Sequence, residues 1–155
     1  TGLALAKLLS GMDVTVIVND FAIAHTLEEF ETVTTILVGG RVLPGYHCTV
    51  GPFGSDNISG LTVDKSFMTA NALSVQKGAA TPLISQAEMK KAMLSISQYV
   101  CLILDSTKFG KTAFSSFASG ADIHEIITDA GVSREQVREW ESLGGKVTIA
   151  PQLKI

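Results

Sequence analysis

The stretch VCLILDSTKFGK at residues 100–111 constrains the fold of this chain more than any other. It opens with five apolar residues, which is short for a helix and typical of a strand buried on both faces. The apolar run stops at Asp105, and hydroxyls, lysines and a glycine follow it. Ligands of open α/β sheets bind just past the carboxyl ends of the strands. The stretch therefore predicts either a small-anion site or a capped loop in which Asp105 and Ser106 hold backbone N–H groups, and these residues alone leave both interpretations open.

Short apolar strands and amphipathic helices alternate along the rest of the chain. The predicted strands are residues 14–18, 33–38, 63–68, 100–104, 123–128 and 146–150. The predicted helices are residues 1–10, 21–30, 56–61, 85–98 and 133–143. The glycine- and proline-containing segments 43–54 and 74–82 are predicted as connections. Strand–helix alternation with short connections predicts an α/β fold with a mostly parallel sheet and helices on both faces, of the Rossmann-like type.

Composition limits the function classes that are open to this chain. A length of 155 residues, 46% of them hydrophobic and 17% charged, predicts one domain over residues 1–155 with a well-buried sheet. The formal net charge is −3, which excludes the basic footprint of a nucleic-acid-binding domain. Any contact with DNA would therefore need another part of the protein.

Cysteine usage and hydropathy suggest a compartment. Cys48 and Cys101 lack CxxC spacing and predict thiols in a reducing, cytoplasmic environment. No apolar run approaches the ~20 residues of a membrane span, and no signal peptide is expected. The three histidines have no ligand spacing, so neither a metal nor a cofactor is expected. Because Thr1 starts inside a helical pattern, we expect a strand and a further domain upstream.

Lysines are concentrated in the second half of the chain. Between Lys77 and Lys111 there are five lysines and two acidic residues. A basic pocket on an acidic domain favours an anionic small ligand over a nucleic acid. For Lys90 and Lys91, on a predicted helix, solvation is the simpler interpretation. Gly39–Gly40 could let backbone N–H groups approach a phosphate, although any tight turn would also use this pair.

The segments LILDSTKFGKTAF and DIHEIITDAG resemble the effector domain of DeoR-type bacterial transcriptional repressors. The segments VTVIVND, VGGRV, TVGP, VDKSFMTANAL and AEMKKAM agree with that family in the same order, so the resemblance covers essentially the whole chain. It implies a fold similar to ribose-5-phosphate isomerase, CoA transferases and glucosamine-6-phosphate deaminase, without catalysis. It also implies a phosphorylated sugar effector, a winged helix-turn-helix preceding this domain, and homo-oligomers.

On this resemblance, Lys108 would pair with a phosphate, Asp105 and Glu88 would accept sugar hydroxyls, and Thr1, Gly39 and Gly40 would offer donors. The full set of expected ligand contacts is Thr1, Asn19, Gly39, Gly40, Arg41, Asn71, Lys77, Thr81, Glu88, Asp105 and Lys108.

Two other functions remain as alternatives. A sugar-phosphate isomerase or amino-sugar-phosphate deaminase would need a carboxylate as general base, for which Asp105 or Glu88 could serve. The acidic cluster that such isomerases carry has no counterpart here, so we expect no enzyme. The other alternative is an oligomerisation domain without a ligand.

Overall fold

The computed structural model describes residues 1–151, which form two compact units. Unit 1 is Thr1–Gly60 and unit 2 begins at Leu61. Both units combine helices with parallel strand pairs, and the predicted α/β class with a mostly parallel sheet is confirmed. That residues 1–155 act as one domain stays a prediction.

Unit 1 is built on a parallel strand pair covered by helices. In chain order its elements are α1 (Gly2–Lys7), β1 (Val14–Val18), α2 (Phe21–Leu27), β2 (Val33–Leu37), β3 (Arg41–Leu43), β4 (Cys48–Val50) and α3 (Pro52–Ile58). Strands β1 and β2 pair in parallel, with Val14 opposite Val33. Asp20 starts α2, because its carboxylate accepts the N–H groups of Ala22 and Ile23 at 2.9 and 3.0 Å. The unit's core lies between α1, α2 and this strand pair.

The segment 43–54 is more ordered than the sequence suggests. Strands β3 and β4 form an antiparallel hairpin, and α3 begins at Pro52, ahead of the helix predicted at 56–61. Glycine and proline favour loops, but the same residues also make hairpin turns and helix starts. Gly45 occupies the turn with a φ of 81°, and Pro52 stands in the first turn of α3.

Unit 2 contains two sheets. Its elements are β5 (Ser66–Met68), β6 (Ala72–Ser74), β7 (Gly78–Thr81), α4 (Ile84–Ser95), β8 (Val100–Ile103), β9 (Ser115–Ala118), β10 (Glu125–Thr128), α5 (Arg134–Ser142) and β11 (Lys146–Ile149). Strands β11, β10, β8 and β5 form a parallel sheet in that order. Val100, Cys101 and Leu102 of β8 are at most 2% exposed, as the apolar run predicts for an internal strand.

The segment 74–82, predicted as a connection, instead supplies most of a hairpin. Strands β6, β7 and β9 form an antiparallel sheet in that order. Ala79 and Ala80 are almost fully buried, because small side chains let this sheet pack closely. At Gly78, with a φ of 70°, a Cβ atom would overlap the carbonyl oxygen of Ala118. The glycine and alanine residues that suggest a loop in the sequence are therefore the small residues that the close packing of β7 against β9 requires.

Helix α5 begins as predicted, with a capping box. The Ser133 hydroxyl accepts the Gln136 N–H at 3.2 Å, and the Gln136 side-chain oxygen accepts the Ser133 N–H at 3.0 Å. Trp140 of this helix is 3% exposed and belongs to the same core as Leu102 and Ile126. Among residues 1–151, no helix is long and apolar enough to cross a membrane.

A polar network joins β10 to β11 near their amino ends. Glu125 accepts hydrogen bonds from Lys146 Nζ at 2.8 Å, from the Thr148 hydroxyl at 2.6 Å and from the Tyr99 hydroxyl at 3.1 Å. The hydrogen bond from Lys146, followed by the one from Thr148, lowers the pKa of Glu125 to about 2. The network therefore stabilises the fold while Glu125 is ionised.

We expect Gly78→Ala to reduce the free energy of unfolding by about 3 kcal/mol, since it adds a positive-φ penalty to a backbone overlap. Gly60→Ala is the control, because a Cβ at Gly60 meets open space, and it should change stability by less than about 0.5 kcal/mol. Urea denaturation followed by circular dichroism measures both. Equal stability of the two variants would contradict the close packing of β7 against β9.

We expect the stability contributed by Glu125 to be present at neutral pH and to be lost as the pH falls from about 5 toward 2. A carboxylate whose folded pKa lies below its ordinary value stabilises the fold above that ordinary value, and the folded pKa of Glu125 is about 2. Glu125→Gln should therefore flatten the acid limb of a stability-versus-pH curve. The control Glu139→Gln, at an exposed position of α5, should keep the wild-type slope. An unchanged slope in Glu125→Gln would contradict this role.

Candidate functional site

A short 3-10 turn, Ser106–Lys108, follows β8 at its carboxyl end. Asp105 caps this turn, because its Oδ1 atom accepts the Thr107 N–H at 3.0 Å and also the Thr107 hydroxyl. The Thr107 hydroxyl is the main cause that lowers the pKa of Asp105 below its ordinary value. Lys108 Nζ lies 3.9 Å from Asp105 Oδ2. The turn thus presents a carboxylate and an ammonium side by side.

A second carboxylate fixes this turn from the next strand. Asp129, directly after β10, accepts the Ser106 N–H at 2.8 Å and the Ser106 hydroxyl at 2.7 Å. It also accepts the Gly131 N–H at 2.8 Å. The Ser106 N–H is the first cause of the lowered pKa of Asp129, so this carboxylate is ionised at neutral pH. We call Ser106, Asp129 and Gly131 the Asp129 clasp.

Gly131 belongs to the clasp for a steric reason. A Cβ atom at this position would overlap the Ser106 hydroxyl oxygen and lie 2.8 Å from Asp129 Oδ1. On the other side of the turn, Phe109 is 6% exposed and forms a parallel bridge with Leu73 of β6. Lys108 is therefore held between the clasp and a buried aromatic anchor, while 35% of its side chain stays exposed.

The predicted contacts Asn71 and Thr81 meet in a separate network. The Thr81 hydroxyl lies 3.1 Å from Asn71 Oδ1 and 2.7 Å from Gln86 Oε1, and Thr81 is fully buried. One hydroxyl carries one proton, so it can donate to one of these two side-chain oxygens. Gln86, which the sequence pattern does not mark as a contact, completes this group. The Thr81 hydroxyl thus lies within hydrogen-bond distance of Asn71, which is exposed.

The remaining predicted residues of unit 2 lie elsewhere. Glu88 is on the exposed face of α4, and Lys77 is in the turn between β6 and β7, where its N–H donates to the Ser74 hydroxyl at 3.1 Å. Lys90, for which solvation is the simpler interpretation from sequence, instead donates to the Thr69 carbonyl oxygen at 2.8 Å, and its ammonium lies 5.2 Å from the centre of the Phe117 ring. Asp105 and Lys108 are brought together, whereas Lys77 and Glu88 are not hydrogen-bonded to them.

In unit 1, several predicted residues meet where β1 and β2 end. The side chain of Asn19 donates through Nδ2 to the Thr49 carbonyl oxygen at 2.8 Å, and the backbone carbonyl oxygen of Asn19 accepts the Thr49 N–H at 2.9 Å. These two hydrogen bonds tie the end of β1 to the β3–β4 hairpin. Gly40 has a φ of 142°, and a Cβ there would lie 2.7 Å from the Val50 carbonyl oxygen. Gly39 borders open space.

Two further predicted residues of unit 1 are exposed. Arg41 pairs with Val50 across the hairpin, and its side chain is accessible to solvent. Thr1 precedes α1 and makes no side-chain capping bond. Asn19, Gly39, Gly40 and Arg41 therefore share one edge of unit 1, and Thr1 stands at the start of a six-residue helix.

Within residues 1–151, no group of three or more His, Cys, Asp or Glu side chains is arranged to hold a metal ion. Hydroxyls, amides, lysines and carboxylates can instead hydrogen-bond an organic anion or its hydroxyl groups.

Comparison with known proteins identifies the family of this chain. The family model described as DeoR C terminal sensor domain matches residues 1–130. The chain belongs to this DeoR sensor-domain family. The resemblance carried by residues 102–114 and 122–131 is thereby confirmed.

Named relatives of this DeoR sensor domain are transcriptional regulators. The chain is 32% identical over 150 residues to the uncharacterized HTH-type transcriptional regulator YulB of Bacillus subtilis, covering 97% of the chain and 58% of the relative. It is 28% identical over 151 residues to the HTH-type transcriptional regulator GolR of Listeria innocua, covering 97% and 59%. It is 28% identical over 126 residues to the HTH-type transcriptional repressor GlcR of Bacillus subtilis, covering 81% and 48%. The chain thus spans about half to three fifths of the length of these relatives.

Asp129, like Gln86, is not among the contacts that the sequence predicts for this DeoR sensor domain. Its position directly after a strand, in the segment IITDAG, is the kind of signal that led to Asp105. The hydrogen-bond partner of Asp129 could not be predicted from the sequence, because Ser106 lies 23 residues away along the chain.

We expect Gly131→Ala to weaken the clasp and to reduce the free energy of unfolding by about 1 kcal/mol, the usual net value of one hydrogen bond. In the background of Ser106→Ala the same change should cost less, because the overlapping hydroxyl oxygen is gone. A double-mutant cycle by urea denaturation measures this coupling. The control is Gly39→Ala, where a Cβ meets open space. Strictly additive effects of the two substitutions would contradict the clasp.

Proposed function

We propose that the chain is the effector-sensing part of a DeoR-family transcriptional repressor of sugar metabolism, and that its effector is a phosphorylated sugar. Membership of the sensor-domain family and the transcriptional regulators among its relatives support this proposal. DNA would be bound by a helix-turn-helix outside these 155 residues, since the chain has a net charge of −3. Such a regulator would act in the cytoplasm, as a homo-oligomer.

The observation that carries the proposal is the environment of Lys108. Among residues 1–151, the ion-pair partner of its ammonium is Asp105, and the distance of 3.9 Å is too long for a hydrogen bond. An ammonium has three donors, so Lys108 keeps its donors for an incoming oxyanion. A phosphate at this position would be held by a point charge on a turn that is already fixed.

Asp105 can contribute to the same ligand through one atom. Its Oδ1 atom is occupied by Thr107, whereas Oδ2 has no hydrogen-bond donor among the described residues. We propose that Oδ2 accepts a hydroxyl of the sugar. Asn71 and Glu88 would offer further polar contacts, with Thr81 acting through Asn71. Asn19, Gly39, Gly40, Arg41, Thr1 and Lys77 remain proposed contacts that rest on the sequence.

The carboxylates of the turn do not favour the isomerase or deaminase alternative. A general base that works near neutral pH needs a pKa close to that pH. Hydrogen bonds instead lower the pKa of Asp105 and that of Asp129. Both groups are therefore weak bases, which suits binding and not proton abstraction.

As a sensor, the chain must respond to its ligand by a change of conformation. A ligand shifts an equilibrium between two conformations by its difference in affinity for them, and equal affinity shifts nothing. A phosphate that contacts Lys108 would stiffen the link between the turn and β6 that Phe109 provides. We propose that this link is the part of unit 2 that the effector changes.

We expect isothermal titration calorimetry with a panel of pentose and hexose phosphates to find at least one ligand that Lys108→Ala binds about tenfold more weakly. A loss of affinity of about tenfold is what the removal of one hydrogen bond to a charged group costs. The matched control is Lys7→Ala, which removes an exposed lysine from α1 in unit 1. It should bind like the wild type.

Three results would count against the proposal. The first is that no sugar phosphate binds the wild-type chain. The second is that Lys108→Ala binds as tightly as the control. The third is turnover of ribose 5-phosphate that Glu88→Gln abolishes, which would establish an isomerase.

A further inference from the structure

A groove in unit 2 lies apart from the turn that holds Lys108. It has a volume of about 360 Å³ and is formed by the β6–β7 turn, α4, β9 and the segment after β9. Its polar lining comprises Gln76, Lys77, Lys91, Ser116, Ser119 and Asp122. We call it the hairpin groove.

The lining of the hairpin groove includes neither Asp105 nor Lys108. Phe109, directly after Lys108, pairs with Leu73 of β6. The antiparallel sheet then continues through β7 to β9, whose residues Ser116, Phe117 and Ala118 line the groove. A ligand in the groove would contact neither Asp105 nor Lys108, and Lys77 is the residue that both proposed contact sets share.

The groove carries two ammonium groups without carboxylate partners. Within residues 1–151, no Asp or Glu oxygen lies within 4.0 Å of Lys77 Nζ or Lys91 Nζ. Neither ammonium is hydrogen-bonded to a described side chain or carbonyl. Two exposed lysines that line one groove without carboxylate partners favour an anionic ligand.

Asp122 adds a hydrogen-bond acceptor to the same groove. Its Oδ2 atom accepts the Ser119 N–H and the Ser119 hydroxyl, each at 2.7 Å. The Ser119 hydroxyl is the main cause of the lowered pKa of Asp122, so the carboxylate is ionised at neutral pH. Its Oδ1 atom has no donor among the described residues. An anion that also carries an O–H group could donate to this oxygen, whereas an anion without a proton would be repelled by it.

We propose that the hairpin groove is a second ligand site, which binds a small tetrahedral dianion that carries a hydroxyl, with hydrogen phosphate as the simplest example. Lys77 and Lys91 neutralise the two charges, and Asp122 Oδ1 accepts the proton-bearing oxygen. Sulfate has the same shape and charge but no hydroxyl, so the site discriminates against it. Lys77 is the residue that this site shares with the proposed effector contacts, whereas Lys108 and Asp105 take no part in it.

The experiment compares potassium phosphate with potassium sulfate at pH 7.5 and equal ionic strength, by titration of the 155-residue chain in two-dimensional ¹H–¹⁵N NMR. We expect saturable shifts of the Gly78 and Gly120 amides with phosphate, and about tenfold weaker binding of sulfate, the size of one hydrogen bond to a charged group. Lys77→Ala and Lys91→Ala should each weaken phosphate binding by about the same factor. Lys7→Ala is the control and should bind phosphate like the wild type.

Asp122→Asn tests the discrimination separately. The side-chain oxygen of asparagine can still accept the Ser119 hydrogen bonds, and a circular dichroism melt checks that the variant is folded. We expect this variant to bind sulfate more tightly than the wild type does, and to lose the preference for phosphate. An unchanged ratio of the two affinities would overturn the role of Asp122.

Other outcomes would overturn the site itself. They are the absence of saturable phosphate binding, or wild-type affinity in both lysine variants. Shifts confined to residues 105–108 and removed by Lys108→Ala would also overturn it, because they would assign the ion to the turn after β8. That last result would leave the proposed effector site intact, so the two proposals fail separately.

Discussion

The carboxylate of Asp129 is the group on which the turn after β8 depends. It accepts three hydrogen bonds, from the N–H and hydroxyl of Ser106 and from the N–H of Gly131. Each is worth about 1 kcal/mol net, but together they fix the first residue of a turn whose third residue is Lys108. Asp129 itself has little capacity left for a ligand. Its effect on function would be exerted through the position of the lysine.

The burial of β8 explains why polar side chains lie at its end. Residues of β8 face apolar neighbours on both sides, so polar side chains cannot be placed along it without losing their hydrogen bonds. They emerge at Asp105, where the strand leaves the sheet. Phe109 then returns the chain to the core beside Leu73. A lysine held between two anchors loses less conformational entropy on binding an anion than a lysine on a free loop would.

Local pattern was enough to predict β8, the polar turn after it and the capping box of α5, because each depends on residues that are close in sequence. The hairpins at 41–50 and 72–81 were missed, since glycine, alanine and proline are shared by loops and by tightly packed hairpins. Asp129 was missed for another reason. Its partner Ser106 is 23 residues away, and pairing across two strands of a sheet leaves no period in the sequence. Lys90 likewise found its carbonyl partner 21 residues away.

A polar group that already makes its hydrogen bonds within the protein stabilises the fold. A polar group with unused donors or acceptors can bind a ligand. The Thr81 hydroxyl and the Asn19 Nδ2 group already make hydrogen bonds within the protein, although the sequence predicts both residues as ligand contacts. Among the described residues, Lys108, Asp105 Oδ2, Lys77, Lys91 and Asp122 Oδ1 retain capacity. Asp105 and Lys108 lie at the turn after β8, whereas Lys77, Lys91 and Asp122 line the hairpin groove. The lysines between Lys77 and Lys111, which form one basic cluster in the sequence, thus lie at two different places in the fold.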